Sequence, residues 1–180
     1  MTTDSKEIAD LVRGLGVDVP FNRPAEYSTD VSPKIDAIRH ATQFVENNDG
    51  FFPDVVVDLD VTVPQRQPED IGGVIKLLHG NREFDAAVTV YIPELNPYYT
   101  MVEFIDKGPE KKEQISLSKE TAHGVIRRQD APKSYGVSGS VFAYRRSSMD
   151  KVSHLHTGKW GGYIVPRQRA IEADDLFNME

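Results

Sequence analysis

The stretch DVVVDLDVTVPQR, residues 54–66, decides the fold. Its three consecutive valines, Val55 to Val57, are β-branched, and such a run is typical of a strand buried on both faces of a parallel sheet. Polar residues follow the valines directly. Because ligands bind at the carboxyl ends of strands in such sheets, these residues form the first candidate site: Asp58, Asp60, Thr62 and Arg66.

Helical and strand patterns alternate on either side of this stretch. Apolar spacing and apolar runs predict helices over 4–16, 32–48 and 68–81, and strands over 17–21 and 84–92. Alternating helices and strands require crossover connections, which place helices on the faces of a sheet. The sequence therefore predicts an α/β fold in a single domain, 1–180, with a Rossmann-like parallel sheet and helices on both faces.

The pattern changes after residue 95. The segments NPYYTMVEFID, 96–106, and VSGSVFAYRR, 137–146, have the character of antiparallel strands, and a charged stretch with chain-breaking residues joins them. We expect a smaller β-rich subregion over 96–146, inserted into the α/β layer.

Composition excludes several classes of protein. The chain has 180 residues, a hydrophobic fraction of 39%, a charged fraction of 27% and a formal net charge of −7. These fractions are those of a globular domain, and the negative charge argues against a nucleic-acid partner. It contains no cysteine and no apolar run long enough to span a membrane, so we expect a cytoplasmic protein with no membrane partner.

The charge is unevenly distributed along the chain. The segment 123–170 contains nine lysines and arginines but only two acidic residues, which gives it a net charge of +7. A basic segment in an acidic protein is either a solvated surface or a place where a small anion binds. The composition alone leaves both interpretations open.

The chain ends with RAIEADDLFNME, in which two carboxylates lie two residues apart. In an extended segment Glu172 and Asp174 project from the same face. Like charges held side by side repel each other, and a divalent cation offsets that repulsion. The spacing alone favours the solvated face of a strand, and a metal site is the alternative.

Six stretches taken together have a counterpart in one enzyme family. They are TTDSKEIAD (2–10), FNRPAEYSTD (21–30), LDVTVPQRQPEDI (59–71), NPYYTMVE (96–103), IRRQDAPKSY (126–135) and RAIEADDLFNM (169–179). In this order they resemble motifs of the acylneuraminate cytidylyltransferases, which make CMP-sialic acid and related CMP-nonulosonates.

The resemblance implies a nucleotidyltransferase that transfers CMP from CTP to the anomeric hydroxyl of a nonulosonic acid and releases pyrophosphate. It implies that Glu172 and Asp174 are catalytic and bind Mg²⁺, and that the β-rich subregion forms a homodimer interface. Hard carboxylate oxygens are the ligands that Mg²⁺ prefers. The implied substrate-binding residues are Arg127, Arg128, Gln129, Asp60, Thr62 and Arg66, because guanidinium groups grip carboxylates and phosphates.

The sequence also departs from the family. Members begin with a strand and a loop that cradles the triphosphate, and no such motif is present here. We therefore expect an N-terminally truncated member that lacks the first strand and the phosphate loop, which leaves the activity of this chain open. The alternatives are a catalytically incompetent fragment that keeps the dimer surface and the sugar-acid-binding groups, or a cytidylyltransferase for another 2-keto sugar acid such as 3-deoxy-octulosonate.

Overall fold

A computed structural model describes residues 1–105 and 114–173. These residues contain three α-helices, α1 Lys6–Gly14, α2 Lys34–Asp49 and α3 Pro68–Gly80. The strands are β1 Val55–Asp58, β2 Ala86–Tyr91, β3 Val102–Phe104, β4 Ile115–Leu117, β5 Gly136–Arg145 and β6 Trp160–Ile164. Short 3₁₀ helices cover Ala25–Tyr27, Arg128–Asp130, Arg146–Ser148 and Arg167–Ala170. No helix within the described ranges combines the length and the hydropathy that a membrane crossing requires.

Four strands form the main sheet in the order β1-β5-β2-β6. Strand β5 is antiparallel to both of its neighbours, whereas β2 and β6 are parallel, so β1, β2 and β6 all run in one direction. The antiparallel character predicted for 137–146 is confirmed, but the prediction that this strand lies outside a parallel main sheet is wrong, because β5 is part of that sheet. The error arose because 136–145 was assigned to the β-rich subregion, and local sequence does not specify which sheet a strand joins.

Helices cover both faces of this sheet, as predicted. Val74 and Leu78 of α3 pack with Ala87 of β2 and with Val141 and Ala143 of β5. On the opposite face, Ile35 of α2 packs with a second cluster: Ala86, Tyr144, Met149 and Val152. Successive strand residues point to opposite faces, so adjacent residues of β2 and β5 join different clusters.

Strand β1 is an edge strand of the described sheet and pairs with β5. Its valines are half-buried rather than fully buried. Val55 and Val57 pack toward the α3 face and Val56 toward the α2 face. The valine run therefore indicated contact with helices on both faces correctly, but it predicted a degree of burial that an edge position does not give.

Two other predicted strand segments differ from the structure. Residues 17–21 form no strand, and an isolated bridge between Thr3 and Asn22 is the pairing observed nearby. Pro20 in this segment has no N–H to donate to a strand partner. Within the predicted 96–146 subregion, β3 and β4 form a separate two-stranded antiparallel sheet, whereas β5 belongs to the main sheet.

Several basic side chains of the segment 123–170 hold the fold together. The Arg145 guanidinium donates hydrogen bonds to the carbonyl of Leu78, in the last turn of α3, and to the carbonyl of Phe84, which follows α3. Other cations pair with acids from the acidic remainder of the chain: Arg146 with Glu46, Lys159 with Glu83, Arg167 with Glu94 and Arg169 with Asp70. Arg146 and Arg169 thus serve as counter-charges to the largely buried Glu46 and Asp70, which neither interpretation of the basic segment described. Lys159 and Arg167 are largely exposed, in agreement with a solvated surface.

Candidate functional site at the carboxyl edge of the sheet

One edge of the main sheet collects the segments that carry the candidate residues. The carboxyl ends of β1, β2 and β6 lie at this edge because the three strands run in one direction, and the antiparallel β5 begins there. The segments that meet are therefore the loop after Asp58, the loop after Tyr91, the start of β5 and the chain after Ile164. We call this edge the carboxyl edge.

The loop after β1 is shaped by its own polar residues. Asp60 Oδ1 accepts hydrogen bonds from the backbone N–H of Thr62 at 3.2 Å and from its hydroxyl at 3.1 Å. Arg66 Nη1 donates to the carbonyl of Asp60 at 3.0 Å and to the carbonyl of Ser140 in β5. Arg66 thus orders the loop and joins it to β5, whereas the sequence also allowed direct contact with phosphate.

A bulge in β5 lies beside this loop. The pairing register between β2 and β5 shifts between Val88 and Val90. The buried Thr89 hydroxyl accepts from the N–H of Val141 at 3.1 Å and lies 3.2 Å from the carbonyl of Ser138, to which it donates. Bulges interrupt ladder pairing and often lie next to functional sites. Here the bulge leaves the N–H of Gly139 available for a side chain.

Glu172 accepts a hydrogen bond from the N–H of Gly139. Its Oε1 lies 3.1 Å from Gly139 N, and the next residue, Ala173, donates its N–H to the carbonyl of Thr62 at 2.7 Å. A Cβ added to Gly139 would lie 3.1 Å from Glu172 Oε1 and 3.6 Å from Asp60 Oδ2. The two carboxylates therefore approach the same space, which is open because residue 139 has no side chain. Asp174 lies outside the described residues.

Lys34, the first residue of α2, contributes a cation to this cluster. Its Nζ lies 2.8 Å from Asp58 Oδ2 and 3.0 Å from Asp60 Oδ2, and 5.7 Å from the centre of the Phe142 ring. The ammonium group thus bridges the two carboxylates at the end of β1. Sequence reasoning missed Lys34, Gly139 and Thr89, because each acts through a contact with a distant segment.

The contacts between Lys34 and the two carboxylates shift the pKa values of both Asp60 and Lys34. Partial burial raises the pKa of Asp60, but the hydrogen bonds from Lys34 and Thr62 and the charge of Lys34 outweigh it, so the pKa lies below its usual value. Burial lowers the pKa of Lys34, and its interactions with Asp58 and Asp60 overcome that effect and raise it. Asp60 is therefore held as a carboxylate and Lys34 as an ammonium ion.

The residues implied to bind the sugar acid lie on another part of the carboxyl edge. Arg127 forms a bidentate ion pair with Asp130, in which Nε lies 2.6 Å from Oδ2 and Nη2 lies 3.0 Å from Oδ1. Arg128 Nη2 donates a hydrogen bond to the carbonyl of Glu94 at 2.8 Å. Arg127, Arg128 and Gln129 are all exposed. Their segment is anchored to the loop after β2, because Asn96 Nδ2 donates to the carbonyl of Pro132 at 3.0 Å.

The cluster at the carboxyl edge offers part of a ligand set for a divalent cation. The described part of the chain contains no group of three or more His, Asp and Glu side chains suited to hold a metal ion alone. Mg²⁺ is commonly bound by one or two carboxylates together with substrate phosphates and water. Asp60 and Glu172, facing a space that a Cβ would fill, fit this partial ligand set.

Comparison with known proteins concerns the chain as a whole. No family model matches the chain. Over 174 residues, 97% of the chain, it is 26% identical to post-translational flagellin modification protein B of Campylobacter coli. Over 174 residues it is also 25% identical to CMP-N,N'-diacetyllegionaminic acid synthase of Campylobacter jejuni. In each case the match spans 70% of the relative.

A solved structure supports the fold independently. CMP:2-keto-3-deoxy-manno-octonic acid synthetase, in complex with CTP, matches with a TM-score of 0.56 at 13% identity. The match covers 92% of this chain and 70% of that one. This structure confirms the predicted α/β fold. The relative named as a CMP-N,N'-diacetyllegionaminic acid synthase confirms the predicted family resemblance and the predicted enzyme class, nucleotidyltransferase.

Proposed function

We propose that this chain, a relative of the CMP-nonulosonate cytidylyltransferases, transfers CMP from CTP to the anomeric hydroxyl of a nonulosonic acid and releases pyrophosphate in a Mg²⁺-dependent reaction. The observation that carries the proposal is the convergence of Asp60 and Glu172 over Gly139 at the carboxyl edge. Relatives named as CMP-sugar-acid synthases support the choice of nucleotide and acceptor class.

Glu172 and Asp174 would hold the Mg²⁺, with Asp60 facing the same space. When bound, the cation supplies positive charge that offsets the triphosphate and stabilises the departing pyrophosphate. The remaining contributions come from the chain itself. Lys34 keeps Asp60 charged and in place, and Thr62 and Arg66 fix the loop that carries it.

The acceptor carries a carboxylate, for which Arg127, Arg128 and Gln129 are the proposed partners. A guanidinium group has five N–H donors, so the single bond from Arg128 to Glu94 leaves donors for a substrate carboxylate. Gln129 offers both a donor and an acceptor to the sugar hydroxyl and amide groups. The exposure of the three side chains is consistent with a site that opens to solvent.

The replacement Arg128→Ala should weaken sugar-acid binding selectively. Loss of a charge-assisted hydrogen bond costs roughly 1.5–3 kcal/mol, so KM for the sugar acid should rise about tenfold or more while KM for CTP stays constant. Steady-state kinetics with each substrate varied in turn measure the difference. Arg82, an exposed arginine between α3 and β2 at the opposite edge of the sheet, supplies the control variant Arg82→Ala. Equal changes in both KM values would contradict the assignment.

A homodimer is the proposed assembly, and the two-stranded sheet β3–β4 is its proposed interface. Val102, Phe104 and Ile115 expose 50%, 74% and 53% of their surface on this sheet. A cluster of exposed apolar side chains on a small separate sheet is typical of an interaction surface. A second copy of the chain would cover it, as the family resemblance implies.

The replacement Phe104→Asp should convert a dimer into a monomer, because a carboxylate would be buried in an apolar contact. Sedimentation equilibrium or light scattering measures the mass. Phe52 is also 74% exposed but lies before β1, so Phe52→Asp is a matched control that should remain dimeric. A monomeric wild-type chain, or a dimer that survives Phe104→Asp, would contradict the interface.

Product analysis tests the function itself. The chain is incubated with CTP, Mg²⁺ and either a nonulosonic acid or 3-deoxy-octulosonate, and pyrophosphate and CMP-conjugates are quantified. Pyrophosphate release that requires both CTP and a nonulosonic acid supports the proposal, and a preference for 3-deoxy-octulosonate would reassign the acceptor. Binding of both substrates without release would favour the alternative of a catalytically incompetent fragment. The cytoplasmic location stays a prediction from sequence.

A further inference from the structure

We propose that the ion pair between the buried Asp70 carboxylate and the partly exposed Arg169 positions Glu172 at the carboxyl edge. Arg169 Nη1 lies 3.0 Å from Asp70 Oδ1, and Arg169 precedes Glu172 by three residues. Both are therefore positioning residues rather than groups that touch substrate. The consequence for metal binding rests on the proposed function, whereas the positioning itself does not.

Asp70 is an unusually constrained carboxylate. Asp70 is 2% exposed. Its oxygen Oδ2 accepts a hydrogen bond from the N–H of Gln67 at 3.0 Å, and this contact is part of the capping box at the start of α3. Oδ2 thus has a donor that is fixed by the start of α3, and Oδ1 accepts from Arg169. Because α3 packs against the centre of the sheet through Val74 and Leu78, Asp70 is a rigid anchor for whatever binds it.

The segment that Asp70 anchors has little stability of its own. Residues Arg167–Ala170 form one turn of 3₁₀ helix, and so short a helix does not fix its own orientation. Its position is set by side contacts: the Arg169 pair and the buried Ala170 hold the turn, and Glu172 and Ala173 then bond to Gly139 and Thr62. Release of the Arg169 contact would free the chain immediately before Glu172.

A second ion pair from the same 3₁₀ turn can be compared directly with the Arg169–Asp70 pair. Arg167 pairs with Glu94, but both side chains are largely exposed, at 53% and 73%. Exposed pairs contribute little to stability, whereas removal of one partner of a buried pair leaves an uncompensated charge. The two arginines occupy the same 3₁₀ turn, yet only the Arg169 pair has a buried carboxylate.

The Gly139 N–H reports directly on the position of Glu172, because Glu172 Oε1 accepts its hydrogen bond. We would follow hydrogen exchange at this amide by NMR in Arg169→Met, in Arg169→Lys and in the control Arg167→Met. A hydrogen bond to a charged group is strong enough that its loss speeds exchange by about tenfold or more. We expect this acceleration in Arg169→Met, a smaller one in Arg169→Lys, and none in Arg167→Met. Glu172→Gln provides the reference for a weakened acceptor, and amides in β2 show that the sheet remains folded.

Wild-type exchange at Gly139 in a folded Arg169→Met variant would overturn the inference. If Arg169→Met does not fold, Arg169→Lys decides the question, and an unchanged Gly139 amide in that variant would count against it. Equal acceleration in Arg167→Met would also contradict it, because the effect would not be specific to the Arg169–Asp70 pair. Broadening of the Gly139 signal by Mn²⁺ tests the proposed function separately: its absence in the wild-type chain contradicts metal binding and leaves the exchange result intact.

Discussion

Glu172→Gln is expected to lower the rate of CMP transfer by about two orders of magnitude, since the charge stabilisation supplied by a metal is several kcal/mol of a barrier. The amide keeps the size of the side chain and an oxygen that can accept from Gly139 N, so the position of residue 172 is largely preserved. What is lost is the anionic charge toward a divalent cation. The half-saturating Mg²⁺ concentration should therefore rise together with the fall in kcat.

Two further variants make this prediction specific. Glu172→Asp should be tolerated better, because it keeps the charge and restores the residue that the family resemblance implies. Glu83 is an exposed carboxylate that lies just before β2, away from the carboxyl edge, and Glu83→Gln should have wild-type kinetics. Near-wild-type turnover of Glu172→Gln at low Mg²⁺ would contradict the proposed role of Glu172 in metal binding.

Gly139→Val is expected to lower activity by about a hundredfold while the chain remains folded. The added side chain would occupy the space between Asp60 and Glu172, and a displacement of about 1 Å at a reacting centre can cost a factor of this size. The backbone itself would tolerate valine, because Gly139 is not among the glycines with positive φ and valine is favoured in strands. Glycine is thus required here for space and not for backbone conformation.

A graded series checks that reason. Gly139→Ala should lose less activity than Gly139→Val, because a single methyl group lies 3.1 Å from Glu172 Oε1 and leaves more of the space open. Gly72→Ala is the control, since a Cβ at that position in α3 meets no atom within 4 Å. Thermal unfolding and steady-state kinetics are measured together. A large loss of stability with unchanged kinetics would contradict the role assigned to Gly139.

The sequence predicted the parts of the fold that depend on local pattern. The helical spacing around α2 and α3 and the valine run of β1 were sufficient to predict helices on both faces of a sheet. The sequence indicated that β5 is antiparallel but not that it joins the main sheet, because pairing with β1 and β2 is a long-range choice that the ten residues of β5 do not encode on their own. The strand predicted over 17–21 failed because an apolar run containing proline can remain irregular.

The candidate site was predictable to a similar extent. The rule that sites lie at carboxyl ends of strands identified Asp60, Thr62 and Arg66, and the spacing of carboxylates identified Glu172. The structure brings the two segments that carry these residues together beside β5. Lys34, Thr89 and the Asp70–Arg169 pair carried no local signal, since each is separated by 24 or more residues from what it contacts. Their roles depend on the tertiary fold.

Calorimetric titration of CTP into the chain tests the central claim most directly, because it measures CTP binding independently of turnover. The titration is done with and without Mg²⁺, and in wild type and Glu172→Gln, so that the variant ties binding to the carboxyl edge. The account predicts that CTP binds the wild-type chain, and that removal of Mg²⁺ or of the Glu172 charge each weakens binding by about tenfold, or about 1.4 kcal/mol. The two changes together should weaken it no further than either alone. CTP binding that is unaffected by Mg²⁺ and by Glu172→Gln would contradict the account.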